Sequence, residues 1–120
     1  MAFSVGCSVS KRLSLDQIED RATESLAFLT DTDEKAADLK MAADTAEARY
    51  EAILDALFLH GDGPVENRKA AARASVEAQD ARLAYLEARR LLDGMTNRRR
   101  TEAIVIDWLR SLASNRKQGL

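Results

Sequence analysis

From Val76 to Ser114 the chain contains no proline and one glycine, Gly94, and is rich in alanine, leucine and arginine. Those residues lose little rotamer freedom in a helix, and nothing in the stretch removes a backbone donor. The stretch therefore predicts one long helix, roughly 55–60 Å from end to end. A rod of that length buries itself in a hairpin, a coiled coil or an oligomer. Sheet is excluded by the scarcity of β-branched residues and the lack of sustained alternation. Disorder is excluded by an apolar content of 46% that recurs periodically.

Upstream, Ser14 and Gln17 form the S-x-x-Q pattern of a capping box, and Leu15, Ile18, Ala22, Leu26 and Leu29 follow at helical spacing, predicting a first helix over 15–30. Thr30 to Asp33 is a polar break with several candidate N-caps. A second helix runs from Asp33 to His60 with the apolar stripe Ala36, Leu39, Ala43, Ala46, Tyr50, Ile53 and Leu57, broadened by Ala56, Phe58 and Leu59. Gly61-Asp62-Gly63-Pro64 is the clearest punctuation, with a glycine suited to a helix C-terminus and Pro64 to the first turn of the next helix, over 64–73. Ser75 either caps a new start or is passed through. In the long helix Leu83, Leu86, Leu91, Leu92 and Met95 form an early apolar face. The segment from Ala103 through Ile104, Val105, Ile106, Trp108, Leu109 and Leu112 is apolar almost all round and needs cover on every side. The expectation is an all-α chain, a helical hairpin with one long C-terminal helix, assembling into an oligomer. It divides into a disordered tail over 1–13, a single helical domain over 14–114 and a basic tail over 115–120.

Charge is segregated along this pattern. Residues 1–63 carry 6 basic against 13 acidic side chains, a net of −7, and residues 64–120 carry 12 against 7, a net of +5. Segregation of this kind suits head-to-tail self-association or a basic site for an anionic polymer. Arg98, Arg99 and Arg100 fan over about 200° of the helix and cannot all face one partner. Arg82, Arg89, Arg100 and Arg116 come closer to a shared face. With Arg90 and Lys117 these are the candidate nucleic-acid contacts, since arginine pairs well with phosphate. The competing use of the same arginines is pairing with the acidic second helix of this or a neighbouring subunit. Base stacking needs exposed aromatics. Tyr85 is the candidate, while Trp108 is expected in the core, so backbone binding without sequence preference is expected.

Catalytic and metal chemistry find no support. One histidine and one cysteine, His60 and Cys7, lie far apart and do not make a zinc site. His60 suits the C-terminal end of a helix dipole. No nucleophile set, P-loop or dinucleotide turn is present. No cofactor and no enzyme activity are expected. The short, mildly apolar N-terminus lacks the basic start of a signal peptide, and no stretch is long and apolar enough for a membrane span. With a single cysteine, a cytoplasmic setting is expected.

The order of an Ala/Glu-rich first half, a glycine loop and an Arg-rich long helix resembles small phage recombination mediator proteins of the UvsY type. The resemblance covers residues 33–118 and is carried by the closing stretch Arg99-Arg100-Thr101-Glu102-Ala103, through Ile106-Asp107-Trp108-Leu109-Arg110-Ser111-Leu112, to Asn115-Arg116. It implies a homo-oligomer that binds single-stranded DNA and helps load a recombinase onto strands coated by a single-strand-binding protein, in a host bacterial cytoplasm. It puts Arg98, Arg99 and Arg100 against DNA, and Ile104, Ile106, Trp108, Leu109 and Leu112 between subunits. The acidic net charge departs from a general DNA binder and concentrates binding on one basic surface. Two rivals are a phage-encoded inhibitor of a host nuclease or defence complex, using its acidic helix as a DNA mimic, and a coiled-coil scaffold protein.

Overall fold

The computed structural model describes residues 13–118, and every regular element among them is helical: α1 Leu15–Asp31, α2 Asp33–His60, α3 Val65–Ala74 and α4 Val76–Lys117. Residues 1–12, with Cys7, and residues 119–120 lie outside the described residues, and so does the disorder expected at the N-terminus. No helix among the described residues is long and apolar enough to cross a membrane.

The boundaries follow from side chains that satisfy the backbone groups helix ends leave open. The Ser14 capping box is present: the Gln17 amide donates to Ser14 Oγ at 3.2 Å, and the Ser14 amide donates to Gln17 Oε1 at 2.9 Å. The polar break narrows to Thr32, whose amide and hydroxyl both donate to the Phe28 carbonyl, at 3.0 and 2.7 Å. At the next turn Gly63 takes φ of +94°, a left-handed value that a Cβ disfavours. Pro64 stands at the N-cap of α3 rather than inside its first turn. Ser75 does break the chain. It is extended, its hydroxyl donates to the Ala72 carbonyl at 2.9 Å, and its Oγ accepts the Ala78 amide at 3.1 Å, closing α3 and opening α4.

The described helices form two compact units, one of residues up to Asp33 with Asn97 onward, the other of Glu34–Thr96. In the first, α1 lies antiparallel to the C-terminal part of α4: Ser25 meets Glu102, while Phe28 and Leu29 further along meet Arg98 and Arg99. In the second, α2 lies antiparallel to the first half of α4. Glu47 and Tyr50 meet Tyr85, and Ile53 shares a surface depression with Glu77 and Ala81.

What is covered repeats at alternating steps of three and four residues, the heptad spacing of coiled coils. On α2 the covered positions are Ala36, Leu39, Ala43, Ala46, Tyr50, Ile53 and Leu57, as the periodicity predicts; Phe58 is half-buried but Ala56 and Leu59 are exposed. On α4 the seam runs Ala78, Ala81, Tyr85, Ala88, Leu92 and Met95 in one unit, then Arg99, Glu102, Ile106, Leu109 and Ala113 in the other. Leu83, Leu86 and Leu91, expected on the buried face, lie off this seam and are exposed, Leu83 by 63%. The fully buried hydrophobic set is small, Ile18, Ala43, Ala72, Ala78, Ala81 and Leu109, because alanine occupies four of those six places.

Candidate nucleic-acid interface

In the first unit, the arginine run at 98–100 separates into three environments because successive helix positions turn by about 100°. Arg99 falls on the seam. Its guanidinium donates to the Leu29 carbonyl and to Thr32 Oγ1, both at 2.7 Å, and pairs with Asp33 at 3.0 Å. It thus supplies donors where α1 exposes its last carbonyls, with a positive charge at the negative end of the helix. Arg98 lies 4.4 Å over the Phe28 ring and reaches Glu102 at 3.3 Å. Arg100 points outward, exposed, and makes no ion pair among the described residues.

Glu102 is the charged group this unit buries. It accepts from Ser25 Oγ at 2.8 Å and from Arg21 at 3.2 Å, besides Arg98. The Ser25 hydrogen bond first, then that from Arg21, hold its carboxyl below the ordinary value, against the opposing effect of burial. Further along, Arg110 lies 3.7 Å from Asp107, Arg116 is half-buried and engaged, and Lys117 is exposed. Of the residues expected between subunits, Leu109 is fully buried inside the chain's own pair of helices and Ile106 and Leu112 are half-buried. Ile104 and Trp108, one turn apart, are exposed by 61% and 47%, so Trp108 is not the core residue its surroundings in sequence suggest.

In the second unit Arg82 is exposed without an ion pair among the described residues, Arg89 pairs with Asp93 at 3.3 Å, and Arg90 makes a two-pronged contact with Glu87 at 2.7 and 3.0 Å. Tyr85 is not the exposed stacking platform expected of it. Its ring stacks on Tyr50 at 6.5 Å between centroids, and its hydroxyl donates to Glu47 at 2.8 Å, which raises its pKa. Sequence reasoning passed over α3, where Lys69 and Arg73 stand one turn apart, exposed and without an ion pair among the described residues. The i, i+4 spacing of two cations in a ten-residue helix was the available signal. No group of His, Cys, Asp or Glu among the described residues is placed to hold a metal ion.

Apart from Arg68, which lies over the Phe58 ring, and Arg116, which is engaged, the basic side chains of residues 64–120 sort into two sets. Arg89, Arg90, Arg98, Arg99 and Arg110 are neutralised within the chain, whereas Lys69, Arg73, Arg82, Arg100 and Lys117 are exposed and make no ion pair among the described residues. The second set can meet phosphates without first breaking a bond to a carboxylate. No protein-family model matches the chain, and neither a curated protein nor a solved structure matches it.

Proposed function

We propose that the chain is an oligomeric accessory protein of DNA recombination that binds single-stranded DNA through its basic C-terminal half without sequence readout, and assists the loading of a recombinase onto strands covered by a single-strand-binding protein. The observation that carries this reading is the set of exposed cations without ion pairs, Arg82, Arg100 and Lys117 with Lys69 and Arg73, in the half of the chain whose net charge is +5. A few such contacts per subunit give weak, salt-sensitive binding. An assembled ring or stack multiplies them on one strand through effective concentration. The cytoplasm of a bacterial host is the compartment this role requires, and it requires neither a cofactor nor catalysis.

The pairing of Arg89, Arg90, Arg98, Arg99 and Arg110 with carboxylates of the same chain favours a second reading, a coiled-coil scaffold whose function is self-association. An inhibitor acting through its acidic α2 is the third.

Fluorescence anisotropy of labelled oligo-dT and of duplex DNA, titrated with protein across a salt series, tests the first reading against the other two. The mediator reading predicts single-strand binding whose logarithm falls with log salt by about 0.7 per phosphate neutralised. Arg82→Glu with Arg100→Glu should abolish it while helicity is kept, since both side chains are exposed. Absence of binding at low salt removes the reading and leaves the scaffold and inhibitor.

A further inference from the structure

Between α2 and α3, within the second unit, lies a groove of about 280 Å³ lined by Leu54, Asp55, Phe58, Lys69, Ala72 and Arg73. It exists because the α3 residue against α2 is Ala72, buried to 5% exposure, whose methyl leaves unfilled the space a larger side chain would take. Leu54 and Phe58, one turn apart on α2, supply an apolar wall. The Phe58 ring is fixed by the Arg68 guanidinium lying 4.6 Å over it. Lys69 and Arg73 bring two positive charges from α3, and Asp55 one negative charge from α2, and none of the three is in an ion pair among the described residues.

We infer that this groove is a nucleotide pocket that takes a base of a single strand against Leu54, Phe58 and Ala72, with adjoining phosphates on Lys69 and Arg73 and an exocyclic amine of the base donating to Asp55. The inference rests on the single-strand reading and deepens it. The apolar wall rewards a flat, weakly hydrated group, and the two cations reward an anion attached to it, which together describe a nucleotide. Asp55 decides between this and an acidic protein segment. A carboxylate repels a second carboxylate brought into the same groove, but accepts a hydrogen bond from the amino group of cytosine, which thymine lacks. Binding is then tolerant of sequence and still graded by base.

The test uses the full chain and labelled oligo-dC and oligo-dT of equal length, two strands alike in charge, thymine placing a carbonyl oxygen, which a carboxylate repels, where cytosine has the amine. Oligo-dC should bind roughly tenfold more tightly or better, the scale of a hydrogen bond to a charged group. Asp55→Ala, which leaves no acceptor at this position, should remove the difference and leave the salt slope nearly unchanged. Lys69→Ala with Arg73→Ala should lower the slope by about 1.4, two phosphate contacts at about 0.7 each. All three side chains are exposed, so far-ultraviolet circular dichroism should match the parent. Equal affinity for the two strands, or binding indifferent to the Lys69 and Arg73 changes, overturns the pocket while the single-strand reading stands. Displacement of the oligonucleotide by a short Asp/Phe peptide, with no discrimination between bases, overturns it in favour of an acidic protein segment. No binding of either strand at low salt removes both readings together.

Discussion

Glu102 shows how much a single position decides here. It occupies a seam position of α4 where a coiled coil ordinarily places leucine, and it is tolerable only because Ser25, Arg21 and Arg98 converge on it. The same convergence sets a pH response. A carboxyl whose folded pKa lies below its ordinary 4.5 contributes stability that is present above that value and is lost as pH falls through the lower, folded one. Thermal melts followed at pH 7 and at about pH 3.5 should therefore show a larger loss on acidification for the parent than for Glu102→Gln, with the variant less stable at pH 7. Parallel losses in the two proteins would remove Glu102 from the acid response. Burial rather than charge governs the neighbouring contrast. Leu109, with 1% exposure, should cost about 2–5 kcal/mol on truncation to alanine in denaturant titrations.

At the scale of elements, helix starts were legible wherever a short polar side chain reaches its own backbone, because that chemistry is local. Ser14 and Gln17 cap α1 as their spacing implies. Ser75 bonds to both Ala72 and Ala78, so Ser75→Ala should cost about 1 kcal/mol, read as a drop of a few degrees in the melting midpoint. An unchanged midpoint would mean that the break between α3 and α4 is set by packing and not by the cap. The stripe of α2 was legible too, since Leu39, Tyr50, Ile53 and Leu57 recur on one face at helical spacing with Ala36, Ala43 and Ala46 between them, although Met41 and Leu59 lie off it. The seam of α4 was not. Ala78, Ala81 and Ala88 lie on it and Leu83, Leu86 and Leu91 off it, so size pointed to the wrong face. The close approach that alanine permits is visible only once a partner helix is present. The candidate site was legible as a charge excess and not as a set of residues. Whether Arg99 faces solvent or the last carbonyls of α1 depends on a contact 70 residues away in sequence, while Lys69 and Arg73 stand in a helix too short to attract notice by its charge.

For the whole molecule, the covered surface is modest and the uncovered apolar surface is not. Few side chains larger than alanine are fully buried, and Ile104 and Trp108 are left side by side on the outward face of α4 in the first unit. Single exposed leucines are ordinary on a protein surface, but an isoleucine and a tryptophan one turn apart form a contiguous apolar spot of the sort that anchors interfaces. The proposed function calls for self-association, and that spot is the surface on which to test it, because several subunits would array their cations on one strand. Ile104→Asp with Trp108→Asp should therefore reduce the parent's sedimentation coefficient to that of the monomer, keep its helicity, and weaken oligonucleotide binding by roughly two orders of magnitude or more, about the avidity that linking sites supplies. The two side chains are exposed, so lost assembly would not be confused with lost folding, as it would for Ile106 or Leu109, which the chain packs against its own α1. Sedimentation unchanged by both substitutions would place the subunit contact elsewhere, with the exposed Leu83, Leu86 and Leu91 of the second unit as the next surface to alter. A monomeric variant that still bound DNA at full strength would show that the cations of one subunit suffice.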